Sequence, residues 1–318
     1  MQGAGNATNA QTIGRITGIN MTPQRATLTG LLAIILWSTS VGLIRSLTEA
    51  LGPIGGAAMI YSTSTLCLLA FYGLPRIKTL PRIYLFAGGA LFVSYEIFLS
   101  LSIGLADSRM QAMEIGMINY LWPSLTILFS LFINQQKSRL LLWPGLTLSL
   151  GGIVWIMKGE SDWTPELLWN NILANPLAYS LAFSAALTWA LYCNVTKRYG
   201  QGKSGVSLFF FITSLVLWIQ YFFSAEGPIS LTLPSLLELL FMGASAALAY
   251  SAWNAGIQYG NLTLLATASY FTPVLSTLLA AIWLNITPAI SFWQGVAMVT
   301  IGSLLCWYAT RPCRDNLL

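Results

Sequence analysis

Histidine is missing from all 318 residues. That absence excludes Ser-His-Asp and Cys-His nucleophilic catalysis, histidine metal centres and imidazole proton relays. Charge is nearly as scarce. Lys+Arg number 15 and Asp+Glu 10, so 8% of the chain is charged; a soluble domain runs near ~25%. With 56% hydrophobic residues, the chain lacks the polar surface to cover soluble domains of its length. A cytosolic enzyme, a disordered chain and a nucleic-acid binder are thereby excluded. Cysteine is sparse too. Cys67, Cys193 and Cys306 lie inside apolar runs, Cys313 lies near the C-terminus, and none has CxxC spacing. This argues against a disulfide framework or a zinc site and leaves small apolar packing as their role.

What the chain has is long apolar runs. They are continuous rather than alternating, which predicts an all-α integral membrane protein and not a β-barrel. Ten transmembrane helices are expected, at 27–45, 53–73, 82–103, 109–133, 140–157, 176–196, 205–223, 233–257, 261–284 and 289–309. Most are long enough for a hydrocarbon core of ~30 Å. The polar segment 1–26 lacks the basic-then-apolar order of a secretory signal and reads as a mobile cytoplasmic tail. Residues 310–318 read as a second cytoplasmic tail. Twelve of the 15 basic residues fall at one set of span ends; only Arg45, Arg109 and Lys158 fall at the other. By the positive-inside rule both termini are cytoplasmic and 158–175 is a periplasmic loop. Trp163 and Trp169 in that loop suit interfacial anchoring.

An internal repeat runs at an offset of 150. Trp143, Gly145 and Gly152 match Trp293, Gly295 and Gly302; Tyr120, Pro123 and Leu125 match Tyr270, Pro273 and Leu275. Trp37 has Trp189 as a counterpart at an offset of 152. The pattern predicts two five-helix units, 27–157 and 176–309. Five is odd, so the second unit enters the membrane from the opposite side. Two inverted five-helix repeats are a transporter architecture with a site near the midplane.

The paired Y-x-x-P-x-L and G-x6-G segments resemble the EamA-type members of the drug/metabolite transporter superfamily. The stretches LWSTSVGLIR (36–45), FVSYEIFLSL (92–101), EIGMINYLWPSLTILF (114–129) and SYFTPVLS (269–276) are similar to the bacterial inner-membrane aromatic amino acid exporters of that superfamily. The resemblance covers about residues 21–310. It implies export of aromatic amino acids from the cytoplasm across the inner membrane. It also implies spans packed around a central cavity, with the fourth and ninth near the pseudo-symmetry axis.

The residues themselves suggest where such a cavity lies. Glu96 sits mid-span without a mid-span Lys or Arg to pair with, and intramembrane carboxyls usually face protein or water. It reads either as a group for substrate ammonium or proton handling, or as a hydrogen-bonded structural carboxyl. Glu114 lies further toward the outer end, and Glu238 reads as interfacial. Pro123 and Pro273 each free the carbonyl four residues earlier, on Asn119 and Ser269. Two broken helices with polar groups at matching positions point to a midplane site, or else to kinks needed for packing. Aromatics make up 13% of the chain and gather at helical spacing. The expected substrate-binding set is Tyr95, Glu96, Asn119, Tyr120, Trp122, Trp189, Tyr192, Tyr250, Trp253, Asn254 and Tyr270. Interior aromatics suit an aromatic ligand by stacking, or its ammonium by cation–π contact; singly, each also suits helix packing.

The leading expectation is a facilitative exporter of aromatic amino acids, with other bulky apolar amino acids as further candidates, that works by alternating access in the lipid bilayer. The alternative is efflux of drugs or lipophilic cations coupled to protons through Glu96. Phosphorylated-sugar exchange fits poorly, because phosphate needs buried Lys or Arg. An intramembrane enzyme fits poorly too, since the spans offer no nucleophile–base pair. No cofactor, metal or nucleic-acid partner is called for, and a monomer is compatible with the sequence.

Overall fold

The computed structural model describes residues 22–135, 138–158, 165–201, 203–259, 265 and 268–309. The described residues are helical, without strands. In chain order the helices are α1 (Pro23–Ser38), α2 (Ser40–Leu51), α3 (Pro53–Tyr72), α4 (Gly89–Gly104), α5 (Arg109–Asn119), α6 (Trp122–Ile133), α7 (Leu142–Lys158), α8 (Pro165–Ala174), α9 (Pro176–Tyr199), α10 (Val206–Phe223), α11 (Leu233–Tyr259), α12 (Thr272–Trp283) and α13 (Ile290–Ala309). A π-turn at Tyr84–Gly88 leads into α4.

Helix starts follow local chemistry. Pro23, Pro53 and Pro176 open α1, α3 and α9, where a missing N–H costs nothing. Thr22 accepts from the Arg25 amide, so α1 begins at Pro23, before the end of the tail expected over 1–26. The rest of that tail, 1–21, lies outside the described residues, as do 310–318 and Trp163. The first span runs on to Leu51, past its expected end. Arg45 and Glu49 pair across one helical turn at 2.7 Å, which lets the helix carry charge until Gly52, at φ 86°, stops it. Thr39 interrupts that span, its amide and hydroxyl both turned to the Leu36 carbonyl. The loop expected over 158–175 contains α8, with Trp169 exposed.

Among the described residues, eight helical segments are long and apolar enough to cross a membrane: Gln24–Leu51, Pro53–Tyr72, Tyr84–Gly104, Arg109–Ile133, Pro176–Tyr199, Val206–Phe223, Leu233–Trp253 and Ile290–Ala309. α7, with 17 residues, and α12, with 12, are shorter. Of the expected span 261–284, residues 261–264, 266 and 267 lie outside the described residues. The chain is a multi-pass helical membrane protein by length and composition.

Packing follows the membrane rule that small residues let helices approach. Ala182, Ala185, Ala186 and Ala190 of α9 are fully buried, while Phe222, Phe223 and Leu140 point outward. α1 packs on α11, α9 on α4, α3 on α10, and α7 on α13. The α7–α13 contact is backbone on backbone. A β-carbon on Gly152 would stand 2.8 Å from the Gly295 carbonyl oxygen, and one on Gly295 would stand 2.7 Å from that of Gly152. Gly145 and Gly302 stand against each other in the same way, at 2.9 and 2.6 Å. The lower number on each helix meets the higher on the other, so the two run antiparallel.

Candidate functional site

Two helix breaks flank one cavity, with Asn119 and Tyr120 of the first and Ser269 and Thr272 of the second in its wall. After α5, Tyr120 and Leu121 bond back three residues, to Met117 and Ile118, before Pro123 restarts the helix as α6. Phe271 bonds back to Ala268 in the same way before Pro273 opens α12. Leu125 to Leu121 and Leu275 to Phe271 then resume the helical pattern. The pattern recurs at the offset of the sequence repeat because the proline that causes it recurs.

Between the breaks lies a cavity of about 190 Å³, walled mainly by apolar and aromatic side chains. Of the expected set, Tyr95, Glu96, Asn119, Tyr120, Trp122, Trp189, Tyr250 and Trp253 line it. Trp189 is the hub: its ring lies 4.4 Å from Tyr95, 6.4 Å and edge-on from Trp122, and 6.4 Å from Tyr250. Tyr192 stacks behind Trp189 at 5.1 Å and packs on Phe92, outside the cavity lining. Tyr270 does not line it either; its ring lies 6.2 Å from Trp307. The side chain of Asn254 lies outside those described.

Glu96 is the only charged side chain among the described lining residues. Both its oxygens are engaged. The Tyr61 hydroxyl lies 2.8 Å from Oε2, and the Tyr250 hydroxyl donates to Oε1 at 2.7 Å. Tyr61 also stands 2.9 Å from Ser100 Oγ. The carboxyl therefore ties α4 to α3 and α11. Glu114 is bonded elsewhere, by the Tyr179 hydroxyl at 3.0 Å. No cluster of three metal-ligating side chains occurs among the described residues.

Sequence reasoning missed several wall residues. Trp37 packs 5.4 Å from Tyr250 and 5.2 Å from Trp253. Its repeat partner, Trp189, was the available signal. Tyr61 and Ser64 also face the cavity, from the polar run 61–65 inside an apolar span. A second missed feature is the ion cluster at one end. Arg45 donates to the Ala106 carbonyl at 2.6 Å, and Arg109 joins Glu49 at 2.8 Å and the Leu284 carbonyl at 3.0 Å. The cluster lies just beyond Ile44 and Ile103, which line the cavity. Two of the three basic residues set apart by loop counting are thus structural.

Comparison with known proteins follows the same lines. The EamA-like transporter family model matches residues 176–308. Curated relatives named aromatic amino acid exporter YddG, from Salmonella typhimurium and Escherichia coli, are each 51% identical over 92% of this chain and 99% of their own. One of the same name from Ancylobacter novellus is 28% identical over 92% of this chain and all of its own. A solved structure, described only as the crystal structure of a protein, superposes with TM-score 0.65 at 24% identity, over 91% of this chain and 99% of that one, and shares its fold. On the family match and the near full-length identity together, the chain belongs to the EamA-like transporter family.

Proposed function

We propose that the protein exports aromatic amino acids from the bacterial cytoplasm across the inner membrane, by alternating access and without a coupling ion. The carrying observation is the central cavity, walled by indoles and phenols. The names of the relatives, identical at half of all aligned positions, support the substrate class. Such walls suit a ring by stacking and edge contacts. Tyr95, Asn119, Tyr120, Trp122, Trp189, Tyr250 and Trp253 are assigned to substrate contact. Tyr192 and Tyr270 act from behind the wall, and Asn254 is assigned by its place on α11. Glu96 holds Tyr61 and Tyr250 in position.

The architecture proposed is ten crossings in two inverted repeats, 27–157 and 176–309, with α7 and the segment ending in α12 added to the eight long spans. The antiparallel meeting of equivalent glycines on α7 and α13 supports inversion, because a parallel duplication would not oppose them so. Both termini are assigned to the cytoplasm and 158–175 to the periplasm. A cysteine at Trp169 should then be labelled by an impermeant maleimide from outside intact cells. Labelling only from the cytoplasmic side reverses the orientation.

The direct test is counterflow of labelled phenylalanine, tyrosine and tryptophan in proteoliposomes, with and without a pH gradient. Exchange without any gradient is expected. Uphill accumulation driven by the gradient would overturn the uncoupled mechanism. Exchange of a lipophilic cation but of no amino acid would replace the reading with cation efflux.

A further inference from the structure

The two helix breaks differ in how their freed carbonyls are satisfied. At the second, the Thr272 hydroxyl donates to the Ser269 carbonyl at 2.6 Å, in place of the donor that Pro273 lacks. At the first, the residue matching Thr272 is Trp122, which has no hydroxyl. Pro123 offers no N–H to the Asn119 carbonyl, and no threonine hydroxyl stands at position 122 to take its place. Asn119 carries a second open acceptor. Its Oδ1 is buried and has no hydrogen-bond partner among the described residues, while its amide also lies against the Tyr95 phenol; the residue is only 6% exposed and lines the cavity. The other buried side-chain atoms in this state are the hydroxyls of Thr196, Ser276 and Ser291, and none of those residues lines the central cavity.

A buried unpaired acceptor is costly unless a ligand completes it. An ammonium group has three donors and no acceptor. Glu96, the obvious partner by charge, is held by a phenol on each oxygen, from α3 and α11, whereas Asn119 Oδ1 has no partner among the described residues. We infer that Asn119, and not Glu96, receives the ammonium group of the transported amino acid, through Oδ1 and the carbonyl left open by Pro123. The third side of the ammonium faces the Trp122–Trp189 rings, which stand edge-to-face at 6.4 Å and offer a cation–π surface. This rests on the proposed transport of amino acids and adds which end of the substrate is held where. It also explains why only one break is self-satisfied: a single ammonium needs a single open break.

The test compares L-phenylalanine with 3-phenylpropionate, which lacks the ammonium group. Binding to the purified protein is read from tryptophan fluorescence. In the wild type phenylalanine should bind more tightly. In Asn119→Leu the ratio of the two affinities should fall at least about tenfold, the scale for losing a hydrogen bond to a charged group. Asn119→Ala should do the same and serves if the leucine variant does not fold. Asn119→Asp keeps an acceptor and should preserve or raise the ratio, and Glu96→Gln should leave it unchanged. A ratio that survives in both acceptor-free variants, or collapses in Glu96→Gln, overturns the assignment. A wild type that binds no aromatic amino acid removes the transport reading itself, and this assignment with it.

Discussion

Along α7 and α13 the halves meet backbone to backbone, and every close glycine contact has its twin at the repeat offset. Around the cavity the twins have diverged. Tyr120 lines the wall where Tyr270 lies against Trp307. Trp122 stands where the second half has Thr272, and Asn119 where it has Ser269. The seam needs only closeness, which a symmetric stripe of glycines supplies from both sides. An amino acid has an apolar end and a charged end, so a twofold-symmetric pocket would match only half of it. The breaks, unlike the seam, carry different side chains at matching positions.

The sharpest way to break this contrast is at the seam. Gly152→Leu places a side chain against the Gly295 carbonyl, which cannot rotate away. Overpacking ordinarily costs about 1–3 kcal/mol, and a backbone clash takes it to the upper end or beyond. Loss of monodisperse protein in size-exclusion chromatography is expected. Gly151→Leu, one residue along, adds a β-carbon that meets nothing nearer than the Met298 methyl at 3.6 Å, and should be tolerated. Equal behaviour of the two variants would end the close-contact account.

At the cavity, Trp122→Ala and Trp189→Ala should leave a folded protein while raising the half-saturating substrate concentration about tenfold or more, because buried aromatic anchors dominate such sites. Full counterflow in both removes the aromatic-wall idea. Thr272→Val tests the self-satisfied break. Losing the bond to the Ser269 carbonyl should cost about 0.5–1.5 kcal/mol, read as a fall in melting temperature with substrate affinity nearly unchanged. A larger effect on affinity than on stability would mean that both breaks touch substrate. The smallest effect is expected of Glu96→Gln. The amide is nearly isosteric and can keep both tyrosine partners, so counterflow and its pH profile should be retained. A flattened pH profile would make Glu96 a proton carrier.

Much of the scaffold was legible in the chain because a membrane imposes a strong one-dimensional rule. Apolar runs must be helical, and Pro123 and Pro273 must break them. The candidate wall was legible only in part. Trp189, Trp122 and Tyr250 stood out as aromatics near breaks or on shared faces. Tyr192 and Tyr270 stood out equally yet lie behind the wall, since periodicity gives a helix face but not what that face meets. Trp37 and Tyr61 were passed over because nothing local distinguishes a cavity-facing ring from a packed one.

The sequence by itself determined the class of molecule, most of its long helices and their two breaks. Each of these depends on residues close in the chain or on a repeat visible along it. Only the tertiary structure decided the state of the polar groups. It placed two tyrosines from different helices on Glu96, joined Arg109 to the Arg45–Glu49 pair, and left Asn119 Oδ1 without a partner among the described residues. Hydrogen-bond partners at such distances along the chain are set by helix packing, and no local pattern records whether a buried acceptor has been satisfied.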